Sequence, residues 1–305
     1  MLSLKLYLGF LGLQFRSRCL RQRRPLLAGY KLTYRCNLQC AHCPFWRRQN
    51  SELDYEGARS VLRSLHQAGA RILIFEGGEP LLWRDEQHGL GDLVKYARTL
   101  FWSVGITTNG TLPLPPDPDV IWVSVDGLAE TTEGIRGPIF EKQMANIAAS
   151  SHPRLFANVT ISRLNVEEIP TLVEFLADKL RGITIQFYYP FDGDIQFFVP
   201  WDERARLLDR LIAMKKDGYP LLDSTAALAL LRRPGWTCHP WLVASAEPDG
   251  TICQGCYLQG RAAVACELCG FAAHLEMSLA YDLHPQAIRA GLRIFGLLPR
   301  RHSGG

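Results

Sequence analysis

The sequence predicts an α/β fold, an open, partial barrel of six βα units carrying a small cysteine-rich C-terminal extension, and three observations predict it. Apolar, β-rich runs alternate with helical patterns from residue 30 onward. The chain has 305 residues, enough for one barrel and an appendage but too few for eight βα units plus the remainder. Beyond Pro220 the character changes, and Cys238, Cys253, Cys256, Cys266 and Cys269 crowd into the last quarter.

The strand-like runs are 31–35, 71–75, 103–107, 120–125, 156–162 and 182–188. Helical patterns separate them. One has Asp54 as N-cap candidate, carries Ala58, Val61, Leu62 and Leu65 on one face, and stops at Gly69. Another begins after Asn165, aligns Ile169, Leu172, Val173, Leu176 and Leu180, and stops at Gly182. The proline-rich stretch 112–119 reads as a loop before the fourth strand, and 202–216 as the last helix of the barrel. No internal repeat is visible. The expected divisions are a basic N-terminal segment (1–29), the barrel (30–219), a cysteine-rich metal-binding segment (220–283) and a basic C-terminal helix and tail (284–305). Strands joined by crossover helices imply a parallel sheet with the active site at the strands' C-terminal ends.

An apolar content of 47% excludes a disordered or collagen-like chain. The net charge of +4 hides an asymmetry, because residues 36–283 hold all 30 acidic residues and are net negative. Lys5, Arg16, Arg18, Arg21, Arg23, Arg24, Lys31 and Arg35 precede them, and Arg289, Arg293, Arg300 and Arg301 follow. Basic ends on an acidic body suit an anionic membrane surface, a nucleic acid, or plain solvated faces. Interleaved aromatics of the kind that bind nucleic acid are sparse there, which disfavours a nucleic-acid partner. The apolar run 1–15 is too short to span a bilayer, and it lacks the charge order and cleavage site of a secretory signal. It reads either as an interfacial helix with residues 16–24 at the headgroups or as a helix packed on the barrel base. Without a secretory signal, the expected location is the reducing cytoplasm, extending to the inner face of the membrane. There nine cysteines read as metal ligands and not as disulfides.

Cys36-Asn-Leu-Gln-Cys40-Ala-His-Cys43 follows the first strand directly. Three thiolates on one short loop can hold three irons of a [4Fe–4S] cube and leave the fourth open. Zinc would want a fourth protein ligand nearby, and His42 is poorly spaced for it. Residues 76–80 read Glu-Gly-Gly-Glu-Pro after the second strand, 107–110 read TTNG after the third, and 124–127 read SVDG after the fourth.

These four segments together resemble the radical S-adenosylmethionine superfamily. The resemblance implies that Cys36, Cys40 and Cys43 bind the [4Fe–4S] cluster and that S-adenosylmethionine chelates its open iron. An electron through the cluster then breaks the sulfonium bond, giving methionine and a 5′-deoxyadenosyl radical. It implies cofactor contacts at Gly77, Gly78, Glu79 and Pro80, with the glycines admitting the methionine moiety and Glu79 receiving its amino group. Ser124 and Asp126 are expected at the ribose, and Thr108 and Asn109 on the same rim. His42 stands where the family usually has an aromatic residue, and it is expected near the adenine. Asn165 either faces the adenine or caps the next helix. A ferredoxin- or flavodoxin-type donor is the expected electron source.

The second cysteine group admits two metal readings. Cys253-x2-Cys256-x9-Cys266-x2-Cys269 has the form of a four-cysteine zinc knuckle. Alternatively Cys238, Cys256, Cys266 and Cys269 hold a second iron–sulfur cluster and Cys253 is spare. The segments CYL (256–258) and CELCGFAAHLEMSLAYD (266–282) are similar to the tail of the hopanoid-biosynthesis radical enzymes, which add the adenosyl radical to a membrane triterpene. That similarity favours the iron–sulfur reading. With the apolar, basic ends it also points to an apolar, lipid- or isoprenoid-like substrate, attacked by adenosyl addition or hydrogen abstraction. A closing helix over 286–298, with Ile288, Leu292 and Phe295 on one face, would serve a membrane contact. Tyr188, Tyr189, Phe191, Phe197, Phe198 and Trp201 form either an aromatic wall for such a ligand or a packed lid, with Asp192 and Asp194 in the same loop. The alternative is a peptide- or protein-modifying maturase with an auxiliary cluster domain.

Overall fold

A computed structural model of the chain describes residues 2–49 and 51–297, without the side chains of residues 2–8 and Asp192. The N-terminal apolar run forms α1 (Leu2–Arg18). The barrel then runs β1 (Leu27–Lys31), α2 (Tyr55–Ala68), β2 (Ile72–Glu76), α3 (Leu90–Leu100), β3 (Ser103–Thr108) and β4 (Val120–Ser124). It continues through α4 (Ala129–Arg136), α5 (Phe140–Ala149), β5 (Leu155–Ile161), α6 (Ile169–Leu176), β6 (Ile183–Phe187) and α7 (Trp201–Lys216). The tail adds α8 (Thr225–Leu230), β7 (Val243–Ala246), β8 (Ile252–Gln254), α9 (Ala272–Tyr281) and α10 (Pro285–Ile294).

One open sheet carries the order β6-β5-β4-β3-β2-β1-β7-β8. All its pairings are parallel except β7 with β8. The helix pattern predicted over Asp54 to Gly69 holds: Asp54 Oδ1 accepts from Gly57 N (2.8 Å), and Ala58, Val61, Leu62 and Leu65 are buried. Those residues pack with Tyr30, Leu73, Phe75, Ile106 and Val123 into the main core, so every second strand residue faces the helices.

Two strands were missing from the sequence reading and one was displaced. Residues 32–35 do not extend β1, which ends at Lys31. Their buried apolar pattern comes instead from packing under the next loop, where Gly78 N donates to Thr33 O (2.7 Å) and Glu79 N to Arg35 O (2.9 Å). β7, with the small residues VASA, pairs along β1 from Leu27↔Val243 to Tyr30↔Ala246, so the tail joins the barrel sheet.

The concave face of the sheet changes character along the strands. Its lower part is apolar: Val120, Trp122, Phe156 and Leu222 pack with Ile294 and Phe295, which come from α10 and its end. The Phe295 ring lies 5.9 Å from that of Trp122. The closing helix is therefore a plug for the barrel base, and the expected membrane face of Ile288, Leu292 and Phe295 is not its main use. Its buried residues are Ala287, Ala290 and Ile294, while Leu298, Arg300 and Arg301 lie outside the described residues. α1 sits on the same base, where Gly9 leaves room for Trp102 just before β3. Its last turns bind α9: Gln14 Nε2 donates to Tyr281 O (2.8 Å), Arg18 Nη2 to the same carbonyl (2.9 Å), and Tyr281 Oη to Ser17 Oγ (3.0 Å). Among the described residues no helix is long and apolar enough to cross a membrane.

Candidate active site

The loop of Cys36, Cys40 and Cys43 rises from the C-terminal end of β1. Cys40 is buried and packs with Leu38 and Ile139, while Cys36 and Cys43 are partly buried against them. Donors surround the sulfurs. Leu38 N reaches Cys36 Sγ at 3.4 Å, Asn109 Nδ2 lies 3.9 Å from it, and Arg136 Nη1 lies 3.7 Å from Cys40 Sγ. Burial pushes Cys40 up to about 11, against the pull of Arg136, and raises Cys36 as well. As free thiols they keep their protons at neutral pH, and a metal must displace them. Among the described residues no three His, Cys, Asp or Glu side chains close on one point as a single ion requires. An iron–sulfur cube asks for something else, one thiolate at each of three irons, and soft sulfur donors fit it.

Glu79 ties this loop to the next strands. It is fully buried; Oε1 accepts from Thr108 Oγ1 (2.8 Å) and Leu81 N (3.1 Å), and Oε2 from Asn109 N (2.7 Å). Burial raises its pKa despite those donors. The glycines before it have a local reason. A Cβ on Gly77 would stand 2.4 Å from Thr33 O, and one on Gly78 would stand 2.2 Å from Arg35 O. The close approach that only glycine permits is thus to the chain's own cysteine loop. Pro80, buried, opens the short 3-10 turn that follows.

On the rim, Asn109 Nδ2 donates to Asn37 Oδ1 (2.8 Å), while Asn109 Oδ1 accepts from Thr111 N and Oγ1. Asp126 is fully buried and already engaged. Its Oδ2 accepts from Arg136 Nε (2.8 Å) and Nη2 (2.6 Å), and its Oδ1 accepts from Thr160 N (2.8 Å). Asp126, expected at the ribose, thus has both oxygens engaged within the protein, and Ser124 stands half-buried at the end of β4. His42 Nε2 lies 3.7 Å from Asp126 Oδ2, and burial drives the ring down to about 4, so it is neutral. Its ring meets Tyr188 edge-on at 6.4 Å. Asn165 is no helix cap, since α6 has Glu168 at that position. Asn165 Nδ2 donates to Asp126 O and Thr160 O, and its Oδ1 accepts from Ser162 N.

Two residues that sequence reasoning missed hold the site together. Arg136 pairs with Asp126 beneath the cysteine loop, and Gln143 Nε2 donates to both Asn109 O (2.6 Å) and Ser124 O (2.9 Å). Neither sits in a motif. Arg136 was marked only by following SVDG at one helix's length, and Gln143 by nothing.

The tail closes over the barrel mouth. Tyr189 Oη donates to Ala263 O (2.6 Å) and accepts from Ala265 N (2.8 Å), and its ring stacks on Phe271 at 5.8 Å. Tyr189 is buried as a packed seat for the tail, while buried Tyr188 meets His42 and Phe197 instead. Asp194 accepts from Gln196 N in an exposed turn, and the Asp192 side chain lies outside the described residues. Arg261 Nη1 lies 3.6 Å from Glu76 Oε1, whose other oxygen pairs with buried Lys31 at 3.3 Å. Lys31 in turn lies over the rings of Phe45 (4.1 Å) and Tyr257 (5.1 Å).

Within the tail, neighbouring thiols act on Cys238, Cys256 and Cys269. Burial pushes Cys238 up to about 11 and Cys269 to about 12; Cys256 and Cys266 add to both, and Cys238 adds to the latter. Burial also raises Cys256, with Cys266 adding. Cys253 does not figure among those causes; it stands on β8, in register with Ser245. Phe271 N donates to the Cys269 sulfur and Leu258 N to that of Cys256, repeating the Leu38–Cys36 contact two residues on.

An open parallel α/β barrel with a three-cysteine loop at the end of its first strand defines a class of metal-cluster enzymes. The radical SAM superfamily model matches residues 30–176, and that match places this domain in the radical SAM superfamily of enzymes. Over 223 residues the chain is 30% identical to the AdoMet-dependent heme synthase of Methanosarcina barkeri, covering 67% of this chain and 62% of that one. It is 29% identical over 185 residues to the PqqA peptide cyclase of Xanthomonas oryzae, covering 54% and 48%. The chain thus spans less than two thirds of either relative. Streptococcus suis SuiB bound to S-adenosylmethionine has the same fold, with a TM-score of 0.62 at 16% identity, covering 89% of this chain and 68% of that one.

Proposed function

We propose that the protein reductively cleaves S-adenosylmethionine at a [4Fe–4S] cluster held by Cys36, Cys40 and Cys43, and that it uses the resulting radical to modify a peptide. When bound, the cluster supplies the electron that breaks the sulfonium bond. The chain's own residues do the rest. Leu38 N, Asn109 and Arg136 direct positive ends at the sulfurs, stabilising their thiolate form. Glu79 fixes the loop after β2 against the end of β3. The half-buried Ser124 hydroxyl is the donor left for a ribose, and His42, neutral and edge-on to Tyr188, stays a candidate beside the adenine.

The observation that carries the substrate class is the upper concave face. Thr107, Ser124, Asn158, Thr160, Thr184 and Gln186, all half-buried, occupy the alternate positions that point away from the covering helices, while Lys31 and Glu76 in the same rows are paired with each other beneath the tail. Such a row offers both donors and acceptors, which suits amide and carboxylate groups better than an isoprenoid. The apolar features that favoured a lipid serve internally: α10 plugs the base, α1 lies on α9, and Tyr189 seats the tail. The PqqA peptide cyclase among the relatives agrees with this reading. Reconstituted protein with dithionite should release 5′-deoxyadenosine, and the peptide product of a short reading frame adjoining the gene should stimulate that release. Stimulation by polyprenyl lipid vesicles, with none by the peptide, returns the substrate to the isoprenoid class.

Cys238, Cys256, Cys266 and Cys269 are proposed to hold a second iron–sulfur cluster, a reading supported by Cys256 and Cys269 packing on one apolar cluster under the tail. With Cys36, Cys40 and Cys43 replaced by alanine, the protein should keep close to four irons, as a second cube requires. Cys253→Ala should leave that iron in place and Cys238→Ala should release it. One equivalent of zinc, lost only with Cys253, would instead establish the zinc knuckle.

A further inference from the structure

Arg204, on α7, is the largest fully buried side chain among the described residues, with 0% exposure. Its Nε donates to Val199 O (2.9 Å), but Nη1 and Nη2 have no hydrogen-bond partner among the described residues. The guanidinium is enclosed by aromatic rings, with Phe187 at 4.6 Å, Phe198 at 4.3 Å and Trp201 at 4.4 Å. Ring faces attract a cation, yet they cannot satisfy its in-plane N–H groups, and a buried cation without an anion is strongly unfavourable. Among the described residues, the ionisable group whose charge would act on it is Cys269, next to Gly270. The geometry is tight there: a Cβ on Gly270 would stand 3.1 Å from Arg204 Nη1 and 2.5 Å from Phe187 Cβ. Phe187 N also donates to Gly270 O (3.0 Å), so the end of β6 is fastened to the Cys269 loop beside the guanidinium.

We infer that Arg204 is the counter-ion of the tail metal centre, a positioning residue whose buried charge and free N–H groups are complementary to an anionic iron–sulfur–thiolate assembly at Cys269. This rests on the iron–sulfur reading of the tail. Four thiolates on a cube leave a net negative charge, which supplies the partner that the guanidinium lacks in the metal-free chain. The same charge favours the reduced, more negative state of the cluster. Met at position 204 keeps the apolar stem and removes the charge; Lys restores the charge without the planar N–H fork.

The test uses full-length protein lacking Cys36, Cys40 and Cys43, so that only tail iron is read, and compares it with the same protein carrying Arg204→Met or Arg204→Lys. The midpoint potential is followed by electron paramagnetic resonance. Arg204→Met should make reduction at least tenfold less favourable, a shift of about 59 mV to lower potential for one electron. Arg204→Lys should recover most of that shift. Iron loss to a chelator is the second readout, and it should be fastest in Arg204→Met. An unchanged potential with iron retained at the parent rate overturns the counter-ion role. If Arg204→Met does not fold, an Arg204→Lys protein matching the parent in potential and iron retention supports the role of charge. An Arg204→Lys protein as impaired as one with no charge assigns Arg204 to packing. Absence of tail iron in the parent itself removes the iron–sulfur reading, and is recognised before either variant is compared.

Discussion

Alanine at Cys36, Cys40 and Cys43 together should abolish 5′-deoxyadenosine release and remove the brown absorbance of the corresponding cluster. Each thiolate anchors a separate iron, and the other cysteines lie elsewhere in the sequence, five beyond Pro220 and Cys19 exposed just after α1. The effect should be total within the sensitivity of chromatography. Cleavage persisting in the triple variant would overturn the assignment of the site. The fold should survive the change, because the sulfurs supply little of the core, and far-ultraviolet circular dichroism checks this directly.

Arg136→Met should be the most damaging single substitution outside the cysteines. It strands Asp126, a carboxylate with 0% exposure whose Oδ2 depends on two guanidinium contacts. Removing one partner of a buried pair costs about 3–5 kcal/mol, because the remaining charge is left uncompensated. Burial would lower the pKa of Arg136, but Asp126 and Cys40 outweigh it and raise the value, so the group is a permanent cation. The loss should appear as a fall in the urea midpoint of the metal-free protein. Cys40 would at the same time lose the nearest positive charge on its sulfur, so iron should bind more weakly. The double variant Arg136→Met with Asp126→Asn should recover much of the stability, since it removes the stranded charge. Equal stability of Arg136→Met and the parent would show that the pair contributes nothing.

The motifs were legible because each is a local pattern with a local cause. GGEP, TTNG and SVDG each end a strand, CNLQCAHC follows β1 a few residues on, and the strands were marked by β-rich runs. Register was less legible. Residues 32–35 have a strand's composition but lie under the Gly77–Gly78 turn, which takes their backbone partners from the ladder. β7 and β8 were invisible, being short and built from residues such as Ala244, Ser245 and Gln254 that carry no strand signal. Their existence depends on the exposed edge of β1, which no window of sequence represents. Apolar residues near the ends posed the same difficulty. Phe295 on a basic helix has the pattern of a membrane contact until Trp122, more than 170 positions earlier, supplies its partner in the barrel.

The sequence by itself determined the class of chemistry. Three cysteines at that spacing, and glycines where a Cβ would strike a carbonyl, follow from short-range geometry, and short-range geometry is written in consecutive residues. Which charges compensate which was decided only by the tertiary structure. Asp126 belongs to Arg136, and Glu76 to Lys31 and Arg261, across separations from ten residues to nearly two hundred. A buried charge must find its counter-charge wherever the chain brings one. Composition records only that both signs exist, and the packing of strand ends against the tail selects the pairs.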